Sequence, residues 1–393
     1  MSGSVIVSFA RTPIGKMSGA LAGFAATDLG GVAIRAALER AGIDGSRVDS
    51  VVMGHVLQAG QGQITARQAA VNAGVPMGVP ALTVNKVCLS GINSVYLADQ
   101  MIAAGDADIV VAGGMESMTN APYLLAKARG GYRMGNDTLI DSMIHDGLWC
   151  AFEMEHMGEG TQRYADEHEV SREAQDEVAL KSHARAADAI RHGRFAEEIA
   201  EVTIPQRKGD PVVVDTDEGV RAATTLESLA GLRPAFVPDG TVTAGNASQL
   251  SDGAAALVLM SRAKADELGI APLAEVVGYG MVAGPDVSLL HQPSRAIKRA
   301  LDRSGLSVGD VDLFELNEAF AAVGVASMRD LGITDEIVNV NGGAIALGHP
   351  VGMSGTRIVG TLITELRRRG GGLGAAALCG GGGQGDAALI RTL

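Results

Sequence analysis

The stretch AIRAALERAGIDGSRVD, residues 33–49, recurs in altered form as AIKRALDRSGLSVGDVD at residues 296–312, with eight of 17 positions identical. Two further matches follow in the same order. VCLSG at 87–91 corresponds to VGMSG at 351–355, and DADIVVAGG at 106–114 corresponds to GLGAAALCGGGG at 372–383. Several matches in order, at a nearly constant offset, indicate a duplicated unit of roughly 110 residues.

Each unit is predicted to alternate strands and helices. In the first unit, the hydrophobic pattern predicts strands at 5–9, 48–53 and 109–112 and helices at 28–41 and 90–104. This alternation predicts an α/β fold in which a mostly parallel sheet is covered by helices on both faces.

The segment 118–249 between the two units is richer in charged residues and in Met, His and Tyr. It contains a predicted helix from about 171 to 192 with Ser171 as N-cap, and PQRKGDPVVVDTDEG (205–219) predicts a hairpin or extended loop. A segment this long predicts an inserted domain, at a position typical of a cover over a substrate. The apolar run 251–262 then completes the first unit.

The composition excludes several classes of protein. The net charge of −13 argues against a nucleic-acid partner, so an anionic ligand would need a local basic patch. No apolar run reaches the length of a membrane span, and the apolar start is too short for a secretion signal. The three cysteines, Cys88, Cys150 and Cys379, fit neither a disulfide framework nor a zinc site, and they predict a reducing, cytoplasmic compartment.

The glycine-rich stretch ALCGGGGQG, residues 377–385, satisfies the G-x-G-x-x-G pattern at Gly380, Gly382 and Gly385. A dinucleotide site also needs a following helix and an acidic residue about 20 positions later. Only eight residues follow Gly385, so this interpretation fails. Cys379 then needs another explanation.

Three polar residues stand in positions suited to chemistry. Cys88 lies at the start of an apolar helix, where the helix dipole favours the thiolate, although a small buried residue is an equal alternative. His349 precedes Pro350 in a glycine-rich loop, which indicates a held imidazole or a structural hydrogen bond. Asn317 lies where a strand gives way to a helix, and it could cap the helix or position a water or a substrate carbonyl.

Six motifs in order resemble those of the thiolase family: NKVCLSG, GGMESM, GNASQLSDGAAA, NEAFA, NVNGGAIALGHPVG and LCGGGGQG. The resemblance covers the whole chain and is nearest to the short-chain acetyl-CoA acetyltransferase branch. It implies a duplicated, five-layered α-β-α-β-α fold with an inserted loop domain. The first half would be 1–117 plus 250–270, the loop domain that covers coenzyme A 118–249, and the second half 271–393.

The resemblance also implies a reaction, the Claisen condensation of two acetyl-CoA to acetoacetyl-CoA and CoA, with thiolysis as its reverse. Cys88 would be the nucleophile that carries the acyl group, and His349 would accept its proton. Cys379 would remove a proton from the second acetyl-CoA. His349 and a water held by Asn317 would stabilise the enolate oxygen, and the backbone N–H groups of Cys88 and Gly381 would form a second oxyanion hole. Coenzyme A is then substrate and product, and neither a cofactor nor a metal is expected.

For substrate binding, the resemblance places Arg221 near the nucleotide, although an ordinary exposed arginine is the alternative. It also matches residues 130–147 to a loop that links dimers, which predicts a homotetramer. The residues implied to line the channel for CoA and its pantetheine arm are Leu148, His156, Met157, Phe236, Ser248 and Phe320.

Two departures from the family pattern and two alternatives remain. The stretch QPSRA, residues 292–296, replaces a family loop near the acyl end, and Cys150 stands where relatives often have Asp. The same residues would serve a degradative 3-ketoacyl-CoA thiolase of broader chain length. A non-catalytic thiolase-like scaffold is the other alternative. The physiological direction and the preferred acyl chain stay open.

Overall fold

The structure is a computed structural model that describes residues 4–393. The strands are β1 (Ser4–Arg11), β2 (Gly15–Lys16), β3 (Ser50–Gly54), β4 (Ala81–Val84), β5 (Ile109–Ser117), β6 (Tyr123–Leu124), β7 (Ile140–Asp141), β8 (Trp149–Cys150), β9 (Glu155–His156), β10 (Val202–Ile204), β11 (Val212–Val214), β12 (Ser251–Ser261), β13 (Ala274–Ala283), β14 (Leu313–Leu316), β15 (Leu373–Gly380) and β16 (Gln384–Thr392). The α-helices are α1 (Ala26–Ala41), α2 (Thr65–Asn72), α3 (Ser90–Ala104), α4 (Met157–Glu167), α5 (Arg172–Arg191), α6 (Leu226–Ala230), α7 (Arg262–Leu268), α8 (Gln292–Ser304), α9 (Ala321–Leu331), α10 (Ala344–Leu347) and α11 (Ser354–Arg368).

The predicted elements of the first unit are confirmed. The three strands are β1, β3 and β5, and the two helices are α1 and α3. Gly42 ends α1 in the left-handed conformation at φ 66°, as a C-terminal glycine does. In the second unit, α8, β14, α11 and β15 repeat the order of α1, β3, α3 and β5.

The main sheet is mixed, so the prediction of a mostly parallel sheet is wrong. Its order is β14-β15-β16-β13-β1-β12-β5-β3-β4, and only the pairs β3–β4, β3–β5 and β14–β15 are parallel. The physical reason is the hairpin between β15 and β16, because a turn of three residues can join only antiparallel strands. The equivalent pair in the first half, β5 and β12, is antiparallel as well.

The inserted segment lies between two strands that pair directly. Ser117 of β5 faces Asp252 of β12, and residues 118–250 fold outside the main sheet. The predicted helix is α5, and the Ser171 side chain caps it by accepting the N–H of Ala174. The stretch 205–219 contains the turn of a hairpin formed by β10 and β11.

Three separate hydrophobic cores produce five layers, as the resemblance to the thiolase family implied. One core joins α1 and α2 to the outer face of the first half-sheet, and another joins α8 to the outer face of the second. The central core holds α3 and α11 between the inner faces of both half-sheets. The α-β-α-β-α order is therefore confirmed. Within residues 4–393, no helix combines the length and the apolar character needed to cross a membrane.

A pair of equivalent glycines lets the two central helices touch at their N-terminal ends. A Cβ on Gly91 would lie 2.8 Å from the Thr356 nitrogen, and a Cβ on Gly355 would lie 2.2 Å from the Ile92 nitrogen. Backbone cannot yield at such distances, so this crossing requires glycine on both helices. The crossing brings the loop before α3, which carries Cys88, against the loop before α11.

Candidate active site

A buried cavity of about 350 Å³ lies where the two halves and the inserted segment meet. Most of its wall is apolar, contributed by both halves and by the insert. The residues predicted from the sequence that line this cavity are Cys88, Leu148, His156, Met157, Phe236, Ser248, Phe320, His349 and Cys379.

Cys88 lies in the short loop between β4 and α3, directly before the N-cap residue Leu89. Its side chain is buried, and burial raises the pKa of the Cys88 thiol to about 12. Burial therefore opposes the thiolate that the start of the helix was expected to favour, and it keeps the resting thiol protonated. A group that accepts the proton during attack becomes necessary.

His349 is buried and held on three sides. Its backbone N–H donates to the Gln249 carbonyl, Nδ1 lies 2.6 Å from the Ser354 hydroxyl, and Nε2 lies 3.4 Å from the Asn317 side-chain nitrogen. Burial, with the nearby Arg357 guanidinium, lowers the pKa of His349 to about 3. The imidazole is therefore neutral, and one ring nitrogen is free to accept a proton.

Asn317 follows β14 directly, and its side chain is buried. It does not cap α9, because that helix has Phe320 as its N-cap residue. The capping interpretation is therefore wrong. The Asn317 Oδ1 atom is buried and has no hydrogen-bond partner among residues 4–393, and a buried amide oxygen of this kind requires a water or a ligand.

Cys379 lies on β15 opposite Gly385 of β16, at the closed end of their hairpin. Burial, and secondarily the neighbouring Cys88, raises the pKa of the Cys379 thiol. Gly382 and Gly383 adopt φ of 77° and 66°, and a Cβ on Gly383 would lie 2.1 Å from the Asp286 carbonyl oxygen. These glycines build a tight strand turn, which agrees with the rejection of a nucleotide cradle.

Gly381 stands in the turn beside Gly380, whose backbone lines the cavity. A Cβ on Gly381 would lie 3.3 Å from the Met157 methyl carbon, so the insert covers this turn closely. The position places the Gly381 backbone next to the cavity that holds both cysteines.

Aromatic side chains from the insert and the second half form one wall of the cavity. The His156 ring stacks on Phe236 at 4.8 Å between centroids, and Phe236 meets Phe320 edge-on at 6.1 Å. His156 also begins α4, since its Nδ1 accepts the N–H of Gly158. The wall is thus fixed by the fold before any ligand enters.

Arg221 does not line the cavity. Its side chain is exposed on the insert, and its backbone N–H donates to His183 Nδ1. The stretch 292–296, which differs from the family pattern, also lies outside the cavity, since it forms the first turn of α8. Leu289, just before it, does contribute to the cavity wall.

Sequence reasoning missed Glu116, which ties the loop after β3 and the loop before α11 to the end of β5. Its fully buried carboxylate accepts the backbone N–H groups of Val56 and Leu57 from the first half and of Gly352 from the second. His55 Nε2 lies 3.2 Å from the same carboxylate. The sequence signal that could have identified Glu116 is an acidic residue at the end of the apolar run IVVAGGMES.

A second missed contact joins the two halves beside the cavity. The Lys86 ammonium lies 2.8 and 3.0 Å from the two carboxylate oxygens of Asp386. Lys86 stands two residues before Cys88, and Asp386 faces Leu378 across the hairpin that carries Cys379. The ion pair therefore connects the loop of one cysteine to the strand pair of the other.

Comparisons with known proteins agree with this arrangement. Residues 4–263 match the family model described as "Thiolase, N-terminal domain", and residues 270–392 match "Thiolase, C-terminal domain". The chain is 56% identical over 392 residues to a "Probable acetyl-CoA acetyltransferase" of Mycobacterium tuberculosis, and 53% identical over 392 residues to an "Acetyl-CoA acetyltransferase" of Cupriavidus necator, each match covering 100% of both chains. The crystal structure of the Bacillus anthracis acetyl-CoA acetyltransferase superposes with a TM-score of 0.97 at 42% identity, covering 100% of this chain and 99% of that one.

Proposed function

The chain belongs to the thiolase family, and on that premise we propose that it is an acetyl-CoA acetyltransferase. It condenses two acetyl-CoA to acetoacetyl-CoA and CoA, and it catalyses the reverse thiolysis. One observation carries the proposal: two cysteines and a neutral histidine from different halves of the chain line the same buried cavity.

The first step is the transfer of an acetyl group to Cys88. Since its thiol is protonated at rest, sulfur attacks the thioester carbonyl as His349 accepts the thiol proton. The bond to CoA then breaks, and the CoA sulfur leaves with the proton of Cys379. The site now holds acetyl-Cys88, an imidazolium and a Cys379 thiolate, so its net charge is unchanged.

The second step uses that thiolate as a base. Burial makes the Cys379 thiolate strongly basic, which suits the weakly acidic methyl protons of a second acetyl-CoA. The resulting carbanion attacks acetyl-Cys88, and Cys88 leaves and recovers its proton from His349. The product is acetoacetyl-CoA, and every side chain returns to its starting state.

Negative charge on oxygen develops twice and needs two sets of donors. For the enolate, we assign the His349 imidazolium and a water bound to the Asn317 side chain, whose oxygen lacks a protein partner. For the tetrahedral adduct on Cys88, we assign the backbone N–H groups of Cys88 and Gly381.

The aromatic wall of Phe236 and Phe320, with Leu148, Met157 and Ser248, is assigned to the pantetheine arm of CoA. These side chains line the apolar part of the cavity. Arg221 is assigned to the nucleotide phosphates because its exposed guanidinium adds local positive charge to a chain of net charge −13. CoA acts as substrate and product, so the proposed chemistry needs no further cofactor.

We also propose a homotetramer built from two dimers, in a reducing, cytoplasmic compartment that keeps both thiols free. The assembly is supported by the apolar side chains that the segment 130–147 exposes, with Met134 at 93% and Leu139 at 61% exposure. Light scattering at micromolar concentration should give four subunits. A monomer would contradict any assembly, whereas a dimer would contradict the tetramer and the role of this segment but not the dimer within it.

The deciding experiment is acetylation in the absence of turnover. Incubation with acetyl-CoA should add one acetyl group to Cys88, located by peptide mass spectrometry. Cys88→Ser should remain unmodified, and Cys150→Ser should behave as the parent, because Cys150 lies outside the cavity. An acetyl group on Cys379 or Cys150 would overturn the assignment.

A turnover assay then tests the substrate. The purified protein should cleave acetoacetyl-CoA with CoA faster than a 3-ketoacyl-CoA of eight or more carbons. The opposite preference would favour a degradative thiolase of broader chain length, and no turnover of either would favour the scaffold alternative.

A further inference from the structure

Two serines at equivalent positions in the two halves use their hydroxyl groups differently. Ser90 opens α3 after Cys88, and Ser354 opens α11 after His349. The Ser90 hydroxyl donates to the Val87 carbonyl at 2.6 Å and accepts the backbone N–H of Lys86 at 2.8 Å. The backbone of its own loop therefore occupies both the donor and the acceptor of this hydroxyl.

Pro350 occupies in the second half the position that Lys86 occupies in the first. Proline has no backbone N–H, so Ser354 receives no donor from that position. Its Oγ atom lies 2.6 Å from His349 Nδ1 and 3.1 Å from the Pro350 carbonyl oxygen. The His349 imidazole thus contacts the Ser354 hydroxyl where, in the first half, the backbone N–H of Lys86 contacts the Ser90 hydroxyl.

The contact on the other side of the ring favours one of the two tautomers. The Asn317 side-chain nitrogen, 3.4 Å from His349 Nε2, can only donate. A hydrogen on Nε2 would set two donors against each other. With the hydrogen on Nδ1, Ser354 accepts it and donates its own hydrogen to the Pro350 carbonyl, so the contacts at both ring nitrogens pair a donor with an acceptor.

We propose that Ser354 is a positioning residue that holds His349 as the Nδ1–H tautomer, and that Pro350 permits this by leaving the serine oxygen without a backbone donor. The Nε2 lone pair is then the acceptor for the Cys88 proton. This inference rests on the proposed function, in which His349 takes that proton.

The tautomer can be read without any turnover. The chain has eight histidines, so protein labelled with ¹⁵N-histidine gives resolvable side-chain signals in NMR, and loss of one set in His349→Asn assigns His349. The parent should show a hydrogen on Nδ1 and a free Nε2. A hydrogen on Nε2 in the parent would overturn the proposal even if the enzyme is fully active.

Kinetics of Ser354→Ala supply the second readout. Loss of the outer partner of a functional imidazole, by analogy with metal-bound histidines, costs about 10–100-fold. We expect that loss in kcat, with KM for acetoacetyl-CoA changed less than about twofold, because Ser354 does not line the cavity. The His349 signals should also shift away from the pure Nδ1–H form.

Ser327→Ala is the matched control, since it removes another buried helical serine whose hydroxyl donates only to a carbonyl, that of Leu290. It should keep the parental kcat and tautomer. Ser354→Ala with parental kcat would refute the positioning role. If Ser354→Ala does not fold, the tautomer of the parent decides, and a parent without turnover would refute the proposed function alone.

Discussion

Replacing Lys86 with methionine should destabilise the protein far more at pH 8 than at pH 5. The Lys86 side chain is 21% exposed, whereas the side chain of its partner Asp386 is fully buried. Methionine retains the aliphatic stem and removes the charge. The variant therefore leaves a carboxylate inside the fold with neither solvent nor a counter-ion.

The magnitude follows from two limits. Removing one partner of a buried ion pair costs about 3–5 kcal/mol. Without Lys86, the Asp386 carboxyl can instead take up a proton. Protonating it costs about 1.4 kcal/mol of free energy for each pH unit above its ordinary pKa of 3.8. Protonation therefore limits the loss to about 2 kcal/mol at pH 5, whereas at pH 8 the full 3–5 kcal/mol applies.

The direction of the pH dependence comes from the carboxyl of Asp386. Burial raises its pKa, and Lys86 opposes that rise. Without Lys86 the pKa rises further. A carboxyl whose pKa is higher in the folded than in the unfolded state stabilises the protein less as pH increases through the folded value. The loss of stability in Lys86→Met should therefore grow from pH 5 to pH 8.

Urea unfolding of the parent and of Lys86→Met at both pH values measures the two differences. Lys264→Met is the control, because Lys264 pairs with Glu267 at the surface, at 2.6 Å, and the same substitution there should leave the urea midpoint unchanged. An equal loss at both pH values, or a larger loss at pH 5, would refute the reasoning.

Three further predictions concern the cysteines and the helix crossing. Cys379→Ser should still be acetylated on Cys88 by acetyl-CoA, but more slowly, because the leaving CoA sulfur no longer receives a thiol proton. Condensation should fall by about 10²–10⁴-fold, and NMR should show no exchange of acetyl-CoA methyl protons with deuterated water; exchange at the parental rate would exclude Cys379 as the base. Alkylation of Cys88 by iodoacetamide should keep accelerating up to pH 9, since burial raises the pKa of that thiol to about 12, and a plateau near pH 7 would contradict a protonated resting thiol. Gly355→Ala should lower stability by about 1–3 kcal/mol or more, because its Cβ meets backbone at 2.2 Å, whereas Gly23→Ala, with open space around it, should not alter the melting temperature.

Much of the architecture could be predicted because the chain contains it twice. Helix α3 matches its predicted bounds, and α5 begins after the predicted N-cap Ser171. These features depend on residues close together in the sequence. The direction of the strands could not be predicted in the same way, since β5 pairs with a strand that begins only at Ser251.

The features of the site that the sequence did not predict also depend on contacts between residues far apart in the chain. Position along the chain identified Cys88 at a helix start, but its protonation depends on burial by both halves and the insert. The contact between Lys86 and Asp386 joins residues 300 positions apart in the sequence. Neither the motif around Lys86 nor the motif around Asp386 predicts this contact by itself. Asn317 has a sequence context typical of a helix N-cap. The chain makes a turn after β14, however, and α9 begins only at Ala321.

The insertion between β5 and β12 also bears on how the chain is made. Closing the loop between Ser117 and Asp252 costs on the order of 3 kcal/mol more in chain entropy than closing the three-residue turn of the β15–β16 hairpin. Strand β1 pairs with β12 and β13, both more than 240 positions downstream, and its last residue, Arg11, also forms a bridge with Ile199. On the ribosome, β1 therefore lacks both of its neighbouring strands until synthesis has passed Ser251. Nascent or truncated chains that end before Ser251 expose this apolar strand and are the species most prone to aggregate.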